Sequence, residues 1–262
     1  LLVDVSGLDD GAPTTDSGAD AIEVSTEDAA TDGSAQVDAI ADAEAGLPFC
    51  QAAQAASSDA SPMLFCDDFD DVGRTSFVAG GWSVAYQSPV LTNDTPFSTP
   101  LAGRATFTTE AGEPGRALGA FTVPFDPART TLTISARMRP RVDYQGGVVE
   151  LFIGGCTLAW ASGYVDNHCP AVGTTFSGAA AFVEDKWTRL EIKLTRTSAT
   201  AIEIQTTNGE GAAALVSVGT LDVSDGGSAY TGNVTGLTIG FGETGGDLTG
   251  TVDFDNVLVT VE

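Results

Sequence analysis

Along residues 131–141 the chain alternates with a period of two: Leu132, Ile134, Ala136 and Met138 fall on one side, and Thr133, Ser135, Arg137, Arg139 and Arg141 on the other. Successive side chains of a β-strand leave opposite faces of its sheet, so this stretch is expected to bury one face and wet the other. Residues 188–197 repeat the scheme, with Leu190, Ile192 and Leu194 set against Arg189, Glu191, Lys193 and Thr195. Residues 201–207 follow with Ile202 and Ile204, and the two stretches are predicted to form a hairpin about Ser198. Further strands are expected over 64–69, 82–86, 104–109, 117–123, 148–153, 214–221, 234–241 and 251–261, between clusters of Gly, Asn, Asp and Pro. After Ala60 no long segment holds apolar residues at helical spacing. Ten to twelve strands so spaced predict an all-β body of two antiparallel sheets packed as a sandwich.

Residues 1–46 differ in kind. They contain no Lys or Arg, repeat Asp-Ala, Asp-Gly and Ser-Gly steps, and offer too little apolar surface to offset the entropy of ordering, so they are predicted to be a disordered acidic spacer. Residues 47–262 are then one domain, a size usual for a single β-sandwich. Of the 36 acids, twelve lie in the spacer, which leaves 24 against all 11 Lys and Arg in the domain. That balance repels phosphate backbones and anionic headgroups, so nucleic acid is excluded as a partner. No apolar run is long enough to span a bilayer. The Asp-x-Asp steps of the spacer lack the glycine and closing glutamate that an EF-hand loop needs at fixed offsets.

The four cysteines allow three pairings. Short loops close at the least entropic cost, which favours Cys50 with Cys66 and Cys156 with Cys169, the second pair bracketing one internal loop. Such bonds persist in oxidising compartments, so export is expected. The rival reading, a zinc site of Cys156, Cys169 and the sole histidine, His168, lacks any Cys-x-x-Cys and would need two adjacent residues on one metal.

Three segments carry a resemblance: Phe65-Cys66-Asp67-Asp68-Phe69-Asp70 followed by Gly81-Trp82, then Lys186-Trp187-Thr188-Arg189-Leu190-Glu191-Ile192, and Val252-Asp253-Phe254-Asp255-Asn256-Val257. The chain from Leu64 onward resembles the concanavalin A-like lectin/glucanase superfamily, laminin G-like modules included. The resemblance implies a jelly roll of two curved antiparallel sheets with first and last strands adjacent, which would gather Asp68, Asp70, Asp253 and Asp255. Such a cluster implies a structural Ca²⁺, with Asp70 and Asp255 in the ligand positions of related carbohydrate-binding jelly rolls. The spacer is similar in composition to the tether that follows the lipidated cysteine of bacterial surface lipoproteins. That likeness implies an extracellular or outer-membrane-anchored domain, with lipid upstream of residue 1 and the targeting peptide removed or not included.

Laminarinase-type members carry Glu-x-Asp-x-x-Glu, because retaining glycoside hydrolysis uses two carboxyl groups about 5–5.5 Å apart. Here the corresponding strand reads Val149-Glu150-Leu151-Phe152-Ile153-Gly154, and Glu150 would need Asp143 or Asp166 brought from a loop. No nucleophile elbow accompanies it. Sugar recognition pairs aromatic faces with planar polar groups, which makes Tyr144, Trp160, Tyr164 and Tyr230 candidates, near Asp143, Gln145, Asp166 and Asn167. Arg139, with Arg137 and Arg141, is a candidate for forked bonds to an acidic sugar, or for cross-strand pairing with Glu191 or Glu203. Trp82 and Trp187 read as structural. The expected role is a non-catalytic glycan-binding module; the alternatives are an adhesive module with a protein partner and a divergent glycosidase or lyase.

Overall fold

A computed structural model describes residues 47–71, 73–86, 89–108, 117–121, 131–141, 149–153, 155–161, 163–169, 173–178, 182–207, 214–222, 234–241 and 249–262. The proposed spacer, Tyr144, Tyr230, Asp143 and Gln145 lie outside these residues. Among the described residues there is one α-helix, α1 (Phe49–Ala56). The strands are β1 (Met63–Asp67), β2 (Ser83–Tyr86), β3 (Val90–Thr92), β4 (Ala102–Thr108), β5 (Ala117–Phe121), β6 (Thr131–Pro140), β7 (Val149–Ile153), β8 (Cys156–Ala161), β9 (Tyr164–His168), β10 (Gly173–Ser177), β11 (Thr188–Arg196), β12 (Ala201–Thr207), β13 (Leu215–Asp222), β14 (Val234–Phe241) and β15 (Thr249–Val261). They make two antiparallel sheets. The first runs β13-β12-β11-β6-β15-β4-β3, with β1 also on β15, and the second runs β10-β9-β8-β7-β14-β5-β2.

The inward residues foreseen for β6 meet the second sheet as expected. Leu132, Ile134, Ala136 and Met138 pack with Val149, Leu151, Ile153, Leu158, Trp160 and Val165 in one buried cluster. Burying each large apolar side chain contributes about 1.5–3 kcal/mol, so this interior is what holds the two layers together. The hairpin of β11 and β12 forms with Leu194 opposite Ile204.

β15 is the organising strand. Its first half lies between β6 and β4, and its second half between β6 and β1, so the opening and closing segments of the domain are neighbours. Inward residues run Val252 and Phe254, then Val257, Val259 and Val261, and the change of parity requires one extra residue. A register shift between Asp255 and Leu258 supplies it, with Asn256 in the left-handed region at φ 49°. The bulge leaves Asp253 and Asp255 on the outward face and turns Leu258 outward as well, where α1 covers it with Phe49, Ala52 and Ala53.

Four differences from the sequence reading follow from this cover and from short strands. Ser135 and Arg139 on the outward side of β6 are buried, not wet, because α1 and residues 93–98 overlie that face. The helix α1, Ala-rich and begun after Pro48, was not foreseen; Asp68 Oδ2 accepts the free Cys50 N–H of its first turn at 3.0 Å. The strands β3, β8, β9 and β10 were also missed, being three to six residues long with few β-branched residues in regular alternation. Finally, Cys156 and Cys169 bracket the hairpin β8–β9, not a loop. The bonds themselves are Cys50–Cys66 and Cys156–Cys169, with Cα separations of 5.6 and 4.2 Å, so neither Cys156 nor Cys169 is available to zinc.

Candidate functional site

Asp253 sits on β15 directly between Arg104 of β4 and Arg139 of β6, its register partners on either side. Three guanidinium groups close on its carboxylate. Arg104 donates from Nε to Oδ1 at 2.6 Å and from Nη2 to Oδ2 at 3.0 Å. Arg139 donates to Oδ2 from Nη2 at 2.6 Å and from Nε at 3.1 Å, and Arg141 from Nε at 2.8 Å. Burial alone would push the Asp253 carboxyl up; the bonds from Arg104, Arg141 and Arg139 outweigh it and hold the group below its usual value.

The arginines reach past Asp253 to the surface. Asp94 Oδ2 accepts from Arg141 Nη2 at 2.7 Å and from Arg104 Nη2 at 3.0 Å, and Asp185 Oδ1 accepts from Arg141 Nη1 at 3.1 Å. Asp94, Arg104, Arg141, Asp185 and Thr251 line a cavity of about 270 Å³ over the outward face of the first sheet. Beside it, the half-buried Trp187 ring lies over Arg139, whose Cζ is 4.7 Å from the ring centroid, and meets Phe97 edge-on at 5.9 Å. Phe97 in turn has Arg137 Cζ at 4.3 Å. Thr95 holds the shelf in place: its carbonyl accepts from Trp187 Nε1 at 3.2 Å and its hydroxyl accepts from Arg139 Nη1.

Ser98, on the same loop as Asp94 and Thr95, reaches a second acidic pair, Asp255 of β15 and Asp70 after β1. Asp255 accepts from Ser98 N at 3.0 Å and Ser98 Oγ at 3.2 Å, and from Asn256 N at 2.8 Å. Burial pushes its carboxyl up to about 7, with the Asp70 charge adding to the rise. Burial and the neighbouring Asp68 push Asp70 up to about 6, and Asp70 Oδ1 is buried with no hydrogen-bond partner among the described residues. Ser98 Oγ also contacts Asn256 Oδ1 at 3.1 Å. An orphaned carboxylate oxygen, two raised carboxyls and neutral oxygens at hand make an all-oxygen donor set that fits a hard cation.

The four-acid cluster expected from the sequence needs correction, however. Asp253 is taken by three arginines, and Asp68 is engaged by Cys50 N and by Asp70 N at 3.4 Å. Among the described residues no group of three or more His, Cys, Asp or Glu side chains is arranged around a metal position. Asp70 and Asp255 remain neighbours, the Asp70 charge acting on Asp255.

The aromatic and arginine candidates are also redistributed. Trp160 is a core residue with no exposure, its ring between the sheets, so it is no platform for a sugar. Arg139 is 5% exposed and bound to Asp253, and its partner is neither Glu191 nor Glu203; Glu191 instead accepts from Arg189. Tyr164 is half-buried on the outward face of the second sheet, its hydroxyl pushed up by burial and by Asp166. Asp166 is on strand β9 and not on a loop, and accepts from Thr175 Oγ1 at 2.7 Å. It shares a register row with Glu150 across Ala159, and Glu150 Oε2 accepts from Thr238 Oγ1 at 3.4 Å. Asp94, Asp185, Arg104 and Phe97 were missed by sequence reasoning. The one signal for two of them is the turn chemistry of Asn93-Asp94-Thr95 and Glu184-Asp185-Lys186, where Thr95 and Asp185 take positive φ of 52° and 59°.

Comparison with solved structures places the fold. The chain is similar to an endo-β-1,4-glucuronan lyase of the fungus Trichoderma reesei, with TM-score 0.50, 12% identity, and 76% of this chain and 96% of that one covered. It is similar also to a carbohydrate esterase of the Shiga toxin-encoding bacteriophage phi24B, with TM-score 0.52, 14% identity, and 77% and 99% covered. A cellulose-induced protein, Cip1, matches at TM-score 0.48 and 16% identity over 74% of this chain and 96% of that one. No family model and no curated protein sequence matches the chain. The architecture is therefore an antiparallel two-sheet sandwich of the jelly-roll kind, a fold it shares with these solved proteins. Among the described residues no helix is long and apolar enough to cross a membrane, and the two disulfides fit an oxidising, extracellular setting.

Proposed function

We propose that this domain is a non-catalytic carbohydrate-binding module, and that its sugar contact is the cavity of Asp94, Arg104, Arg141 and Asp185 with the Trp187–Phe97 shelf. The observation that carries the reading is that the Trp187–Phe97 pair, held by Arg139 and Thr95, sits next to a cavity lined by fixed charged groups without itself lining it. A pyranose lays its apolar face on such a ring while its hydroxyls find donors and acceptors alongside. The arginines are immobilised by Asp253 before any ligand arrives, so little side-chain entropy remains to be lost on binding. Binding of a glycan panel by the intact domain, with Trp187→Ala as the control, tests this. Panel binding at least tenfold weaker in the variant is the expected result.

Calcium belongs to the same proposal. Asp70 and Asp255 would hold it with neutral oxygens nearby, and its role would be to fix residues 93–98, which reach Asp255 through Ser98 and the cavity through Asp94. So does surface tethering, which rests on the composition of residues 1–46; metabolic labelling with a fatty-acid analogue reads it out directly.

A further inference from the structure

The charge arrangement of the cavity specifies the class of sugar, an inference that rests on the binding reading above. We infer that the site takes a neutral glycan and not a polyuronate or a sulfated chain.

The argument begins with what an incoming ligand meets. Asp94 and Asp185 have side chains 55% and 62% exposed, whereas Arg104 and Arg141 are each 22% exposed. Carboxylates thus form the rim and guanidinium groups the floor. Each arginine is already committed. Arg104 serves Asp253 and Asp94, and Arg141 serves Asp253, Asp94 and Asp185. With Arg139 the group holds three positive charges against the three negative charges of Asp94, Asp185 and Asp253, so it is balanced before any ligand enters.

A uronate or sulfate would therefore have to displace Asp94 or Asp185 from its arginine. It would also have to approach a domain in which acids outnumber bases by more than two to one. Both steps are unfavourable, and forked recognition of an acidic group needs a guanidinium edge that is not already occupied. A sugar hydroxyl has neither difficulty. It both donates and accepts, so one hydroxyl can give its proton to an Asp94 or Asp185 oxygen while a neighbouring one accepts from an arginine N–H, with no ion pair broken. The apolar ring face goes to the exposed part of Trp187 beside the cavity, Arg139 covering one face of its ring. The cavity is shallow and open to solvent, so a sugar rests against it without being enclosed.

The experiment is isothermal titration of the intact chain at two salt concentrations with three sets of oligosaccharides. The neutral set is gluco-, manno- and xylo-oligomers, the acidic set is oligoglucuronate and oligoalginate, and the cationic set is chitosan oligomers. Trp187→Ala and Asp185→Ala serve as variants, with circular dichroism and melting to confirm that each folds. The expected result is binding of a neutral oligomer whose Kd changes less than twofold between 50 and 500 mM NaCl and weakens at least tenfold in both variants. Tighter binding of an acidic oligomer, weakening with salt and lost in Trp187→Ala, overturns the charge class and leaves the binding reading standing. Chitosan binding alone does the same in favour of ion pairing with the rim. Binding that survives both variants overturns the cavity as the site, and no binding by any set overturns this inference together with the reading beneath it.

Discussion

Asp253 and Asp255 are two residues apart on one strand, both without exposure, yet they live under opposite electrostatics. Asp253 sits among Arg104, Arg139 and Arg141 and is held ionised below its usual range; Asp255 has Ser98 and Asn256 as donors, Asp70 as a like-charged neighbour, and is pushed up to about 7. The difference arises from the bulge at 255–256. Before it, β15 is flanked by β4 and β6, whose outward arginines fall in register with Asp253. After it, the strand turns toward β1 and the acids that follow it. One carboxylate is neutralised by arginines, while the other has only neutral donors and a like-charged neighbour, and so holds its proton to higher pH.

The largest expected effect comes from breaking the neutralised side. Asp253→Ala leaves three buried or half-buried guanidinium groups without their common anion, and breaking a buried pair in this way costs about 3–5 kcal/mol. Urea unfolding measures it. A loss below about 1 kcal/mol would mean that the clamp is replaceable by solvent, and the contrast with Asp255 would collapse.

Second in size is the response to calcium. Ligand binding only to the folded state stabilises by RT ln(1 + [L]/Kd), about 2.7 kcal/mol at a hundredfold excess over Kd. Melting after thorough chelation and again in millimolar Ca²⁺ should show such a rise in the wild-type chain and none in Asp255→Asn. An unchanged melting point in the wild type would remove the cation from the description.

The pH dependence of the metal-free protein separates the two acids further. Asp255 has a folded value of about 7 against about 3.9 unfolded, so the folded state binds its proton first and stability rises as pH falls. Between pH 8 and pH 6 the gain is on the order of 1 kcal/mol, lost again as pH rises through 7. Asp253, held low, has the opposite sign: its contribution is present above about pH 3.9 and is lost as pH falls below that. Chelated protein melted across pH 4–8 should therefore be more stable near pH 6 than at pH 8. A flat or inverted profile in that window would show that Asp255 is satisfied in some way that Ser98 and Asn256 do not account for.

How much of this was written legibly in the sequence depends on distance along the chain. The period of two in β6 and β11, the hairpin at Ser198 and both disulfides are local patterns, and the structure follows them. The clamp is not local. Arg104 and Asp253 are 149 residues apart and meet only because β4 and β15 are neighbours in a particular register, which no alternation of apolar and polar residues encodes. The same holds for the shelf: Trp187 read as a packing residue at a strand start, and its face becomes a candidate surface only once Thr95 and Phe97 arrive from the loop before β4. Trp160 misled in the opposite sense, since an aromatic near planar polar groups reads as a sugar contact until its strand is known to point it into the core.

The smallest effect tests whether the loop over this face is held from the Asp255 side or from the aromatic side. Residues 93–98 are attached at one end by Ser98 on Asp255 and at the other by Asp94 and Thr95 on the arginines, with Phe97 packed between Arg137 and Trp187 in partial exposure. An exposed cation–π contact contributes about 0.5–1 kcal/mol. Phe97→Ala should therefore cost no more than about 1 kcal/mol in urea unfolding and leave the calcium response intact, because the Ser98 anchor does not depend on the ring. A loss of the calcium response in Phe97→Ala would mean that the aromatic shelf, not the carboxylate, positions Ser98, and the two regions of β15 would then have to be treated as one coupled unit.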